Sequence, residues 1–212
     1  MKASEAEQVV INELRPFFMA YDYSWMPHYQ QFRRLTSNGF HNLLINIKGD
    51  KPQLVDIKLG CRIDMVEDLV YQFTTGLLGY QEHSNTFIAS LGEIIGQSYF
   101  KYEISDKQEA VTVSEAIKGF MLSKGLDFIV QHSSVQSLDK LFNDQPTQKL
   151  PYATHPLNRC LRGIVLARLA ERKDFIGLVA IYRRALVISK TAPPLLEKYD
   201  RLCHYLKSFS FN

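Results

Sequence analysis

The sequence is poor in the residues that mark several special classes of protein. Its 212 residues include only 3 cysteines, 11 glycines and 8 prolines. So few cysteines, and an odd number of them, exclude a disulfide-stapled scaffold, and the low glycine and proline content excludes collagen-like and low-complexity chains. With 46% hydrophobic residues and a formal net charge of +3, the chain is not expected to be disordered. These absences leave an ordinary globular protein that is long enough to bury a core without disulfides.

Long apolar runs are missing as well. The longest stretches, such as 163–170 and 176–182, are interrupted or ended by arginines, whereas a membrane-spanning helix needs about 18 apolar residues or more. The N-terminal residues carry glutamates and lack the apolar core of a secretory signal. The three cysteines, Cys61, Cys160 and Cys203, form no C-x-x-C pair and fit reduced thiols. We therefore expect no signal peptide, no membrane partner and a cytoplasmic location.

The charge is distributed unevenly along the chain. Residues 1–150 carry 14 Lys/Arg and 18 Asp/Glu, a balance of −4, whereas residues 151–212 carry 11 and 4, a balance of +7. One explanation is that the two regions complement each other within the fold or within a homodimer. The other is that the basic C-terminal region binds nucleic acid or another anionic partner.

Two regions of the chain have the pattern of β-hairpins. Residues 40–48 and 53–63 predict two strands joined by a Gly-Asp-Lys-Pro turn. In the second strand, apolar residues alternate with Asp56, Lys58, Gly60 and Arg62, which predicts a half-buried antiparallel strand with one wet face. A second strand pair is predicted at 85–95 and 99–104.

The first helices are placed by apolar periodicity and by helix-start signals. Residues 4–18 predict an amphipathic helix, with a kink or break near Arg15 because Pro16 cannot donate a backbone hydrogen bond. Asp64 and Glu67 have the spacing of a capping box, so they predict the start of a second helix.

The rest of the chain is predicted to be largely helical. A helix is expected from Ser105 to Gly125, and three helices after residue 156, the first two antiparallel. The fold class is therefore α+β, an antiparallel sheet packed on helices and followed by a C-terminal antiparallel helical bundle. We expect an α+β domain at 1–142, a linker at 143–156 and a helical subdomain at 157–212.

Aromatic residues are concentrated between the first helix and the first strand. Residues 17–32 hold seven of the 25 aromatic side chains, including the only tryptophan of the chain. The segment either closes the core across the open end of the sheet or forms a partner-binding surface or ligand-pocket wall. For the second alternative, the candidate residues are Tyr21, Tyr23, Trp25, Tyr29 and Phe32.

The basic residues of the C-terminal helices form the second candidate surface. They are either the solvated border of the apolar helix faces or a set that converges on an anion, as phosphate binding would require. The candidates for anion binding are Arg159, Arg162, Arg172, Lys173, Arg183 and Arg184.

Signatures of catalysis and of metal binding are absent from the sequence. No two histidines or cysteines have metal-ligand spacing apart from the adjacent Cys203 and His204, and there is no nucleophile elbow or glycine-rich phosphate loop. We assign no catalytic residue, no metal and no cofactor. The sequence leaves enzymatic activity open but favours a non-enzymatic function. An unfamiliar ligand site would use the polar sheet face of Asp56, Lys58 and Arg62.

The run NGFHNLLINIKGDKPQLVDIKLGCRIDMVEDL at residues 38–69 resembles the central hairpin of small bacterial α+β domains of unknown function. The shared pattern is an apolar strand led by phenylalanine, a turn, an apolar strand ending in leucine-glycine, and a helix with an acidic start. It extends over about residues 30–73. Some domains of this kind are immunity proteins that neutralise toxins of rival bacteria. The resemblance thus implies a bacterial protein-binding role, and it carries over no functional residue.

Three functions follow from these patterns. The first is a cytoplasmic, non-enzymatic protein-interaction module that binds its partner through the aromatic segment or the wet face of the sheet. The second is binding of nucleic acid or another anionic partner by the basic C-terminal helices. The third is a small-ligand binder or enzyme with a site at the polar sheet face.

Overall fold

A computed structural model describes residues 3–74, 81–148, 150, 152 and 155–209. The chain packs as two compact units, each assembled from two separate segments. The first, here called the sheet unit, comprises residues 1–61 and 88–131; the second, the helical unit, comprises residues 62–87 and 132–212. These bounds differ from those of the predicted domains, because residues 62–87 and 132–142 pack with the C-terminal helices.

The strands form one antiparallel six-stranded sheet, which confirms the α+β class. Strands β1 to β5 are neighbours in chain order, and β6 pairs with β4. The strands are β1 (Ser24–Met26), β2 (Gln31–Thr36), β3 (Gly39–Lys48), β4 (Gln53–Ile63), β5 (Phe87–Ser90) and β6 (Tyr102–Ile104). The β3–β4 pair confirms the first predicted hairpin.

Strand β4 has the predicted alternation, but its outer face is wet only in the first half. Leu54 is exposed, and Asp56 and Lys58 are half-buried. Farther along the strand, Gly60 and Arg62 are buried. The prediction that Arg62 lies on a wet face is therefore wrong.

The second predicted hairpin is also wrong. The chain leaves β5 at Ser90 and forms the short helix α3 (Leu91–Ile94). The Ser90 hydroxyl accepts a hydrogen bond from the Glu93 N–H (3.2 Å), and the Glu93 carboxylate accepts one from the Ser90 N–H (2.7 Å). This capping box ends the strand, and β6 pairs with β4 instead.

Helix α1 (Ala3–Met19) packs against the sheet and against helix α4 (Lys107–Phe120). The predicted break near Arg15 is wrong, since Pro16 lies in the last turn and the helix continues to Met19.

Gly125 does not end helix α4, contrary to the prediction. It lies in a π-helical turn, residues 121–125, through which α4 continues into α5 (Leu126–Gln131).

The helical unit is built around helix α7 (Pro156–Leu169). Its neighbours are α2 (Asp64–Phe73), α6 (Val135–Asn143), α8 (Phe175–Ile188) and α9 (Pro193–Ser208). Four successive residues of α7, Ile164 to Ala167, have no exposed surface, so the helix is covered on all sides. This arrangement confirms the predicted C-terminal helical region.

Candidate functional site

The aromatic segment contributes mainly to the core of the sheet unit. Phe18 and Phe32 stack with ring centroids 4.5 Å apart, and Tyr23 lies edge-on to Phe18 at 5.5 Å. Phe32 has no exposed surface, and Tyr23 is 1% exposed. Burial raises the pKa of Tyr23 to about 12, against the smaller opposing effect of Arg34. Both side chains are therefore inaccessible to a partner.

The other three aromatic candidates lie nearer the surface. Tyr21, Trp25 and Tyr29 are half-buried. The Trp25 ring packs against Phe32 with centroids 4.9 Å apart, so the core fixes one side of the indole. The other side borders a groove along α1.

The acidic residues at the start of α2 have roles other than capping. The N-cap residue of the helix is Ile63, which makes no side-chain cap hydrogen bond, and Asp64 is the first residue of the helix. Glu67 is buried and accepts two hydrogen bonds of 2.8 Å from the guanidinium of Arg162 on α7. Burial lowers the pKa of Arg162, but the charge and hydrogen bonds of Glu67 more than compensate and raise it overall. The predicted capping box is wrong.

Arg62 is also held by side chains of its own unit. Its guanidinium contacts Asp64 at 2.5 Å and Asp68 at 3.0 Å, and it donates to the Ser84 hydroxyl at 2.9 Å. Asp56 and Lys58 make a separate, partly exposed ion pair of 3.7 Å. The structure therefore does not bring the three residues of the polar sheet face together as one unoccupied polar site.

Several of the basic candidates are engaged within the helical unit. Arg172 contacts carboxylates of Asp139, Asp144 and Asp174 at 2.8–3.2 Å. These carboxylates raise the pKa of Arg172, Asp174 most strongly. Arg183 pairs with Asp200 at 2.9 Å.

The remaining basic candidates differ in their surroundings. Arg159 donates to the carbonyl oxygens of Phe142, Gln145 and Gln148, which holds the start of the predicted linker against α7. Lys173 and Arg184 are exposed. Two of the six basic candidates, Arg159 and Arg184, line the same cavity.

That cavity, here called the α8 groove, lies between residues 146–148 and Leu150 on one side and helices α7 and α8 on the other. Its volume is about 600 Å³, within the range of ligand and peptide-side-chain sites. Its walls are largely apolar and include Leu150, Cys160, Ile181, Ala185 and Ile188. Such a surface favours an apolar occupant.

The floor of the α8 groove is rigidly held. The Tyr182 hydroxyl donates hydrogen bonds to the side-chain oxygen of Asn143 (2.5 Å) and to the backbone oxygen of Phe142 (2.9 Å). Asn143 also donates to the Gly163 carbonyl at 2.9 Å. Because these groups are buried and hydrogen-bonded, the part of the groove wall formed by Tyr182 is preorganised.

The electrostatics of the α8 groove favour a negative group. Its described lining contains two arginines and no carboxylate. Nε of Arg159 is buried and has no hydrogen-bond partner among the described residues, and Arg184 has no ion-pair partner among them. Burial raises the pKa of the Cys160 thiol to about 12, so this cysteine stays protonated and is a poor nucleophile. The groove is therefore suited to recognition rather than to covalent chemistry.

Sequence reasoning did not find this groove. The signal that was available is the apolar side chain of Ile188 on α8, which is exposed and lines the groove. A helix with apolar residues on its outer face indicates a surface that another molecule covers.

Comparison with protein-family models, with curated proteins and with solved structures finds no match. Within the described ranges, no helix has the length and apolar character to cross a membrane. Histidine, cysteine, aspartate and glutamate side chains in those ranges form no group of three or more that could hold a metal ion.

Proposed function

We propose that the protein is a non-enzymatic protein-interaction module whose α8 groove binds an apolar, acidic segment of a partner protein. The observation that carries this proposal is the apolar groove of about 600 Å³ with two arginines and no carboxylate in its described lining. An amphipathic helix that places its apolar face in the groove and a carboxylate beside Arg184 matches both properties.

An exposed apolar residue of α8 supports the same surface. Ile188 is 74% exposed and lines the α8 groove. The helical unit carries 14 Lys/Arg and 10 Asp/Glu, a balance of +4, so its long-range field also attracts an acidic partner. Recognition of a bacterial toxin by an immunity protein would be one instance of such binding.

Binding to a designed peptide tests the chemistry directly. An acidic amphipathic helical peptide and a basic one with the same apolar face are titrated into the protein by calorimetry. We expect the acidic peptide to bind more tightly, and Ile188→Asp and Arg184→Glu each to weaken it about tenfold.

Ile176→Asp is the matched control. Ile176 is 62% exposed on the same helix but does not line the α8 groove. Equal losses with Ile176→Asp and Ile188→Asp, or equal binding of the two peptides, would contradict the proposal. Affinity capture from the native host then identifies the partner as a protein that Ile176→Asp retains and Ile188→Asp loses.

A further inference from the structure

A second groove, in the sheet unit, lies between α1 and the edge strand β1. It has a volume of about 380 Å³, and it is lined by Glu7, Gln8, Ile11, Asn12 and Arg15 of α1 together with Trp25. Ile11 is buried and forms the floor, whereas Gln8, Asn12 and Arg15 are exposed. We call this cavity the α1 groove.

The indole of Trp25 is a fixed apolar wall of the α1 groove. It packs against Phe32, and Phe32 stacks in turn on Phe18 of α1. Because the core already holds the ring, a ligand that packs against it does not have to pay for ordering it.

Opposite charges lie at the two ends of the α1 groove. Glu7 and Arg15 are eight residues apart on one helix, so their Cα atoms are separated by about 12 Å. Neither side chain makes an ion pair within the ranges that the structure describes. Between them, the amides of Gln8 and Asn12 offer both donors and acceptors.

We propose that the α1 groove binds a short free peptide in its zwitterionic form. Three extended residues span about 10 Å, which is comparable with the separation of about 12 Å between the Cα atoms of Glu7 and Arg15. The peptide ammonium lies at Glu7, its carboxylate at Arg15, its backbone at the two amides and an apolar side chain against Trp25. This site is independent of the α8 groove and does not rest on its proposed function.

Trp25 is the only tryptophan of the chain, so its fluorescence reports on the site without a label. The probe is glycyl-leucyl-glycine, and the comparison ligand is the same peptide acetylated and amidated at its ends. We expect a saturable change in Trp25 emission with the free peptide and none with the capped one, with calorimetry confirming the heat of binding.

Substitutions of Glu7 and Arg15 test whether these two charges bind the ends of the peptide. Glu7→Gln and Arg15→Gln should each weaken binding about two- to fivefold, the size of a partly exposed ion pair, and Arg15→Lys should retain it. Glu13→Gln, on the same helix but outside the groove lining, is the control. Circular dichroism confirms that the variants are folded. The proposal is overturned by no binding at about 10 mM peptide, by equal binding of the capped peptide, or by an equal loss with Glu13→Gln.

Discussion

At the scale of single residues, a buried ion pair joins α2 to α7. The Glu67 and Arg162 side chains are 3% and 16% exposed, and two parallel hydrogen bonds satisfy both ends. Such a pair gains little over an apolar pair of the same size, because both charges lose their hydration. Removing only one partner, in contrast, leaves an uncompensated charge in the core.

We expect Glu67→Gln to lower the free energy of unfolding by about 3–5 kcal/mol, because Arg162 would lose its counter-charge. The double variant Glu67→Leu/Arg162→Met should cost less than the sum of its two single variants, Glu67→Leu and Arg162→Met, because it removes both charges together. Urea denaturation measures each value. Arg183→Met is the exposed control, and we expect it to cost much less because water screens the ion pair of Arg183 with Asp200. Additive costs in the double variant would contradict this account.

His41 makes stability depend on pH. It is buried on β3, and its Nδ1 accepts a hydrogen bond from Arg34 at 3.2 Å, which places the proton of the neutral ring on Nε2. Burial and the Arg34 charge lower its pKa to about 4, from 6.5 in the unfolded chain. Between these values the unfolded state binds more protons, so stability is complete above pH 6.5 and falls as the pH is lowered towards 4.

We expect the His41→Gln variant to lose less stability on acidification than the unsubstituted protein, because glutamine keeps an acceptor for Arg34 but does not titrate. The measurement is the urea midpoint of both proteins at several pH values between 7 and 4.5. Parallel curves for the two proteins would show that another group carries the pH dependence.

At the scale of secondary-structure elements, the contact between α7 and α8 requires a glycine. A Cβ added at Gly163 would lie 2.8 Å from the Tyr182 hydroxyl oxygen and 3.0 Å from two carbons of its ring. Tyr182 cannot move away easily, because its hydroxyl is hydrogen-bonded to Asn143. Close approach of the two helices therefore depends on position 163.

Gly163→Ala should accordingly destabilise the protein by about 1–3 kcal/mol, the usual cost of overpacking. Gly177→Ala is the matched substitution, since Gly177 lies in α8 and a Cβ there meets nothing within 4 Å. We expect it to stabilise the protein by about 0.5–1 kcal/mol through helix propensity. Thermal melts of the two variants should move in opposite directions, and a shift in the same direction would contradict the packing argument.

Elements that depend on local signals could be predicted from the sequence. Strands β3 and β4 were found because a period of two and a Gly-Asp-Lys-Pro turn lie within 24 residues of chain. The prediction of a second hairpin is wrong because Ser90 and Glu93, which form a helix-capping box, lie inside the predicted strand. In that segment apolar residues alone do not distinguish strand from short helix.

Features that depend on distant contacts could not be predicted in the same way. Glu67 and Arg162 are 95 positions apart, so no local pattern in the sequence indicates that they pair. The local pattern around Glu67 is the spacing of a capping box, which predicted a different role. The α8 groove likewise needs residues 146–148 and Leu150 beside α8, a juxtaposition set by packing. Trp25 was identified as a pocket-wall candidate from its setting, whereas the burial of Tyr23 and Phe32 depends on α1.

At the scale of the whole molecule, the helical unit is not a continuous stretch of chain. Residues 62–87, which contain helix α2, are separated from the rest of the unit by the 44 residues 88–131, and α2 packs on α7 and α9. Without it, Arg162 would lack Glu67, and the apolar surfaces that α2 covers would be exposed to water. The C-terminal helices are thus expected to depend on residues that the sequence alone assigned to a different domain.

A fragment of residues 132–212 should therefore show low helicity and no cooperative melting when it is alone. Adding a synthetic peptide of residues 62–87 should restore the helical signal at 222 nm and a cooperative thermal transition, because it supplies α2. A peptide carrying Glu67→Gln should restore less, since it cannot neutralise Arg162, and a scrambled peptide should restore none. Cooperative melting of fragment 132–212 by itself, near the temperature of the intact protein, would show that the C-terminal helices fold without α2.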